Sequence, residues 1–218
     1  MCSTSAKQNN DKRTYSLNGT EPLQSKSLVK DLGVWFSEDL KFSHHCASVS
    51  KTASCRAALI KKHFVSGDVK TLIWAFKTYV RPILEYASPV WSPYLFKDID
   101  LIESVQRRFT KSLKSLNKLP YNERLRVAGL ESLELRRLKC DLCLTFSLLH
   151  GLVDFDYTTL FELRHGDRTR GHHLKLVVRS TKLNCFKYFF ANRVVPAWNS
   201  LPTEVHVTSN LQKALMTH

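Results

Sequence analysis

From Phe42 onward, apolar residues recur at spacings of three and four, the period at which side chains return to one face of an α-helix. Phe42, Cys46, Val49, Ala53, Ala57, Ile60 and Phe64 form one stripe, and Lys51, Arg56, Lys61 and Lys62 fall largely off it. The segment predicts an amphipathic helix with a basic outer surface, started by Ser43 as its N-cap. Ser66-Gly67-Asp68 ends that helix and caps a second, striped by Val69, Leu72, Ile73, Phe76 and Val80, which Pro82 ends or kinks. Residues 83–95 are apolar and aromatic, interrupted by Pro89 and Pro93, and read as a buried connection. A third helix is expected from Asp98, with Ile99, Ile102, Val105, Phe109, Leu113 and Leu116 on one side and Arg107, Arg108, Lys111 and Lys114 on the others. Pro120 stops it, and residues 121–127 form a short helix before a turn at Gly129. Leu135, Leu138, Leu142, Phe146 and Leu149 mark a fourth long helix that ends near His150-Gly151, where a glycine is usual.

The two ends differ from this pattern. Residues 1–14 are polar and without period, and read as a disordered lead-in. Asn18-Gly19 suits a tight hairpin turn. Val34, Trp35 and Phe36, with Gly33 relieving the backbone before them, have strand chemistry, and Ser37-Glu38-Asp39 makes a corner towards the helices. Beyond residue 151 the chain is loop-like and polar to residue 173, apart from a short helix at 158–163; residues 174–178 resemble a strand and 186–198 a last core helix. The expected fold is mainly α, a helical bundle entered through a small β-hairpin, with a minor α+β C-terminal part. Its expected divisions are a lead-in over 1–14, a hairpin region over 15–42, a helical domain over 43–150 and a C-terminal subdomain over 151–218.

Charge narrows the class of partner. The 218 residues carry Lys+Arg 33 against Asp+Glu 19, a net charge of +14, and a pI near 9.7. Such an excess points to a polyanion, either nucleic acid or an acidic membrane surface. No block of consecutive Lys or Arg stands out, which disfavours a polybasic membrane anchor, and no apolar run approaches the roughly 20 residues of a membrane span. The N-terminal stretch lacks the apolar region of a secretory signal. An intracellular protein, nuclear or cytoplasmic, with its six cysteines reduced is the expectation.

The candidate phosphate contacts are Arg107, Arg108, Lys111 and Lys114, gathered by spacings of three and four with Glu103 offsetting part of their field. Lys51, Lys61, Lys62, Arg136 and Arg137 form a second group, and a solvated helix surface is the alternative for all of them. Cys140 and Cys143, with His150 downstream, have a zinc-like spacing, but they fall inside the leucine-striped helix and read as structural cysteines. His44-His45-Cys46 reads as a helix start with one buried thiol. His172-His173 after Arg170-Gly171 either contacts phosphate or belongs to a solvated loop. Trp91, Trp198, Tyr86 and Phe190 have apolar flanks and read as core residues, since a base-stacking platform must be exposed. No metal, cofactor or small-molecule substrate is expected.

An ordered series of short motifs adds a resemblance. KDLGV at 30–34, FSHH at 42–45, VRPILEY at 80–86, VWSPY at 90–94 and IESVQRRFTK at 102–111 are followed by YNERL, GLESLELRR, TRGHHLKL at 169–176 and FFANRVVPAWNSLP at 189–202. The series resembles the region C-terminal to the catalytic palm in reverse transcriptases of non-LTR, LINE-type retrotransposons, particularly the Jockey-like group. The resemblance implies that KDLGV closes the last palm hairpin and that the helix from Ser43 begins a thumb, which closes over a template-primer duplex. It also implies RNA, DNA or an RNA-DNA hybrid as partner, and contact with the palm and fingers of a parent polymerase. The family's polymerase activity resides in palm aspartates that include an Asp-Asp pair and hold two metal ions. No Asp-Asp pair occurs in this sequence. A non-catalytic, nucleic-acid-gripping piece of such an enzyme is therefore expected, with an inert or domesticated remnant acting as a protein-interaction module as the alternative.

Overall fold

A computed structural model describes residues 16–17, 21–22, 24, 26–64, 67–164 and 174–202. The expected lead-in, the Asn18-Gly19 turn, and Arg170 with His172 and His173 lie outside the described residues. Two-residue strands β1 (Ser16–Leu17) and β2 (Glu21–Pro22) pair antiparallel on either side of Asn18-Gly19. Strands β3 (Leu28–Asp31) and β4 (Val34–Ser37) form the next hairpin, with Asp31 opposite Val34. Its two loop residues, Leu32 and Gly33, both have positive φ, 42° and 87°, which matches the twist of a two-residue hairpin. A Cβ on Gly33 would also stand 3.4 Å from the Tyr86 ring. The Tyr86 hydroxyl donates to the Leu32 carbonyl at 3.1 Å, so the hairpin is tied to the helical body at this turn.

Helix α1 (Ser43–His63) follows the corner at Ser37-Glu38-Asp39. Ser43 is not its N-cap. Phe42 occupies the capping position in a left-handed conformation (φ 56°), held edge-on against Phe36 at 5.5 Å. The Ser43 hydroxyl instead donates 2.6 Å to the buried carboxylate of Asp98. In α2 (Val69–Tyr79), Asp68 caps by accepting from the Thr71 N–H at 2.9 Å. Pro82 lies in the first turn of a new helix, α3 (Arg81–Glu85), where its missing N–H costs no hydrogen bond. The expected buried connection is thus α3 plus α4 (Ser88–Trp91), with Leu84 and Trp91 fully buried. Helix α5 (Phe96–Lys111) ends sooner than the apolar spacing suggested, and Leu113 and Leu116 stay buried in the turns beyond it. Gly129, at φ 57°, closes α6 (Tyr121–Ala128).

Helix α7 (Leu133–Leu149) is capped by Ser132, and the leucine stripe predicted for it is only half right. Leu142 is buried, but Leu135 and Leu138 are exposed, and Leu133, Arg137, Asp141 and Thr145 turn inward. Polar side chains can occupy this face because they meet partners there: Asp141 accepts a bidentate pair from Arg193 at 2.9 and 3.0 Å. After a 3₁₀ turn at Tyr157–Thr159, the expected last helix is two, α8 (Asn184–Lys187) and α9 (Phe190–Asn199). The strand expected over 174–178 reduces to one bridge between Leu163 and Leu176. The side-chain amide of Asn199 takes both the N–H and the carbonyl of Leu176, each at 2.9 Å, and so replaces a neighbouring strand.

The buried apolar side chains form two clusters. One joins β4 to α1 through α6 and the first turn of α7; the other joins the second half of α7 to Phe161, Leu176 and α9. Helix α7 bridges them. The architecture is mainly helical, with a small antiparallel hairpin at its N-terminal side.

Candidate nucleic-acid interface

Helices α1 and α5 make the most extensive packing between any two elements. Small residues on α1, among them Ala53 and Ala57, let it approach Ile102, Val105 and Phe109 of α5 within the first core cluster. The Ser43–Asp98 bond pins their first turns together, so the packed helices run in the same direction and bring their C-terminal turns to one end. That end is rich in cations. Lys61 and Lys62 close α1, Arg108 and Lys111 close α5, and Lys114 follows in the next turn; all five are exposed. Helix α1 carries four Lys or Arg and no carboxylate along its whole length. Cations in the last turn are favoured by the helix dipole, but the dipole does not account for Lys51 and Arg56, exposed further up the same helix.

The nine sequence candidates separate accordingly. Lys51, Lys61, Lys62, Lys111 and Lys114 are exposed and make no ion pair among the described residues. Arg108 is exposed and folds back onto its own helix, donating to the Ser104 carbonyl at 3.1 Å and hydroxyl at 2.9 Å. Arg107 is paired with Asp100 at 2.9 Å and lies over the Tyr121 ring. Two candidates do not join the α1–α5 face. Arg137 is 2% exposed, and burial lowers its affinity for a proton against the pull of Glu103, Glu134 and Asp141. Arg136 is held by Glu85 and Glu131. Arg137 is turned inward on α7, which the spacing of a leucine stripe read in the wrong register concealed, whereas Arg136 faces a groove. Glu103 likewise is no surface counter-charge, being buried between α5, α6 and α7.

Of a second basic surface the sequence candidates include only Arg136. A groove of 790 Å³ lies between α2, α3, α6 and α7 and is lined by Lys77, Arg81, Arg126, Arg136 and Lys139. Two carboxylates face them. Glu85 pairs with Arg81 and Arg136, and Glu131 with Arg136 and Lys139. Lys77 and Arg126 make no ion pair among the described residues. Burial, then Arg81 and Arg136, hold the Lys77 ammonium below its ordinary range. Beside this groove Trp74 is 60% exposed, whereas Trp91 and Trp198 are fully buried. These five cations come from four elements, so no sequence run announces them; Trp74 could have been flagged by its place between Lys70 and Lys77 at helical spacing.

Cys140 and Cys143 also line this groove. Cys140 is exposed and Cys143 half-buried, so neither is the core thiol expected from the stripe. Desolvation against the groove wall raises both thiols above their ordinary range and keeps them protonated. The buried thiol is Cys46, which burial pushes up to about 12. Among the described residues no group of three or more His, Cys, Asp or Glu side chains gathers to hold a metal. A chelator is expected to leave the melting temperature of the purified protein unchanged; a drop of several degrees, with zinc recovered stoichiometrically, would show that a site exists.

Fold and surface together define a mainly helical protein that displays cations on a helix pair and in a separate groove. Among the described residues no helix is long and apolar enough to cross a membrane. No protein-family model, no curated protein and no solved structure matches the chain.

Proposed function

We propose that this chain is a non-catalytic nucleic-acid-binding module that grips a duplex, an RNA-DNA hybrid above all, by its phosphate backbone through the C-terminal ends of α1 and α5. The observation that carries the reading is the carboxylate-free helix α1 with Lys51, Lys61 and Lys62 exposed, packed along α5, whose C-terminal end exposes Arg108, Lys111 and Lys114. Cations presented in this way neutralise phosphates without reading base edges. The ordered motifs support the same role, since they resemble the thumb and following region of a LINE-type reverse transcriptase, whose palm and fingers would be natural protein partners. The sequence holds no Asp-Asp pair for two-metal chemistry, so polymerisation is not assigned to it. Action on such a template places the protein inside the cell, in nucleus or cytoplasm.

Binding to a hybrid duplex is expected to weaken steeply with salt, because each neutralised phosphate contributes a log-log slope of about −0.9 on B-form DNA. Alanine at Lys61, Lys62, Arg108 and Lys111 together is expected to flatten that slope by about two to four units, equally for unrelated sequences of one length. The control removes the same charge elsewhere, at Arg164, Arg179, Lys182 and Lys187. Equal effects from the two variants would reduce the attraction to net charge and favour a protein-interaction module instead.

A further inference from the structure

The cationic groove and the exposed tryptophan are parts of one surface. A cleft of 290 Å³ beside Trp74 is lined by Val69, Lys70, Ile73, Lys77, Val127 and Ala128, and the groove is lined by Lys77, Arg126 and Gly129. Lys77 belongs to both, and the end of α6 passes from one to the other. From this continuity we propose a binding site for single-stranded nucleic acid, with a base stacked on Trp74 and the neighbouring phosphates in the groove beside Lys77 and Arg126. The proposal rests on the polyanion-binding reading above, but it uses none of the residues of the α1–α5 face and takes a different ligand.

The chemistry of the two halves is complementary to one ligand only when that ligand has both free bases and phosphates. An indole left in water between two lysines offers a flat apolar face to any base. Val127, 55% exposed, extends that apolar floor. In the groove, five cations face two carboxylates, and those carboxylates are already engaged by Arg81, Arg136 and Lys139. Lys77 stands half-buried beside other cations, and a phosphate there relieves the repulsion and supplies the missing partner. A duplex keeps its bases stacked on one another and cannot lay one on Trp74. A single strand can, with little preference for sequence.

The test is a tryptophan-emission titration with a short oligothymidylate, run beside the hybrid-duplex titration. Emission is expected to quench on binding, with the change lost in Trp74→Phe because Trp91 and Trp198 are fully buried and half-buried Trp35 lines a different cleft beside β3 and α1. Trp74→Leu keeps apolar bulk without a stacking face, and is expected to weaken oligothymidylate binding by about 5- to 150-fold, the equivalent of one base stack, while Trp74→Phe keeps most of the affinity. The Lys77→Ala, Arg126→Ala double variant is expected to flatten the single-strand salt slope by about 1.4, two phosphates at about 0.7 each. Hybrid binding is expected to be indifferent to Trp74→Leu. Wild-type emission that stays constant at saturating oligothymidylate overturns the proposal, whatever the fate of the variants. So does a Trp74→Leu variant of native circular dichroism and unchanged affinity, or an unchanged slope in the double variant. Loss of hybrid binding alone counts against the α1–α5 grip and leaves this site standing.

Discussion

Replacing Glu103 with leucine is expected to lower the unfolding free energy by about 3–5 kcal/mol, a large share of the roughly 5–15 kcal/mol that holds an ordinary domain together. Glu103 is 7% exposed and collects donors from three helices. One oxygen accepts the Leu133 N–H that opens α7, at 2.8 Å. The other accepts the hydroxyl of Tyr121, which opens α6, and the side-chain amide of Gln106 on α5. Leucine would leave the Leu133 N–H and the Tyr121 hydroxyl without this acceptor, at about 1–3 kcal/mol each when neither finds water, while the Gln106 amide keeps the Glu131 carbonyl at 2.9 Å. It would also remove a negative charge from beside buried Arg137. Glu103→Gln keeps the volume but turns an amide N–H towards groups that are themselves donors, and an intermediate loss of about 1–3 kcal/mol is expected. Urea melts of the three proteins decide the matter. A Glu103→Leu midpoint corresponding to less than about 1 kcal/mol of lost stability would mean that the junction is held by apolar packing alone.

The second large effect is on pH dependence. His45 is 2% exposed on α1, its Nδ1 accepting the Trp35 N–H at 3.3 Å and its ring edge-on to Trp91 at 4.8 Å. Burial, then the neighbouring His44 and Lys30, lower its pKa to about 4. The folded protein therefore keeps His45 neutral where the unfolded chain, titrating near 6.5, takes up a proton. Between these two values the unfolded state binds more protons, so stability falls as the pH falls. The loss begins near pH 6.5 and is complete below about 4. It amounts to about 2 kcal/mol by pH 5 and about 3 kcal/mol by pH 4. Denaturant melts at pH 7.5 and 5 are expected to show it in the wild type, with a much flatter dependence in His45→Phe. Parallel pH dependences in the two proteins would place the titrating group elsewhere.

Some of this molecule is legible in its sequence because the signal is local. The hairpin turn is visible in Gly33, which a positive φ requires, and in the β-branched and aromatic residues that follow it. The helix end at Gly129 is similarly visible, since a glycine in the left-handed region acts on its own backbone, whereas Pro120 opens α6 and the helix it was expected to stop ends at Lys111. The basic outer face of α1 follows from periodicity, because a long helix averages many positions and one misplaced residue does not move the stripe.

What escaped was decided by partners distant in the chain. Ser43 looked like a cap and spends its hydroxyl on Asp98, 55 residues away. Leu135 and Leu138 looked like core, and α7 instead buries Arg137 and Asp141, because Arg193, 52 residues after Asp141, arrives to pair with it. An apolar stripe predicts which face is buried only when the neighbouring element is apolar too; a guanidinium from another helix reverses the choice. The same logic separates the two basic surfaces. Lys61 and Lys62 are adjacent in sequence and could be read as cationic at once, whereas Lys77, Arg81, Arg126, Arg136 and Lys139 meet only through the packing of four helices. The sequence alone determined that the chain is helical and cationic, since propensity, period and charge are properties of short segments. The tertiary structure alone decided which cations are neutralised and which tryptophan stays in water, since both depend on what the fold places within a few ångströms.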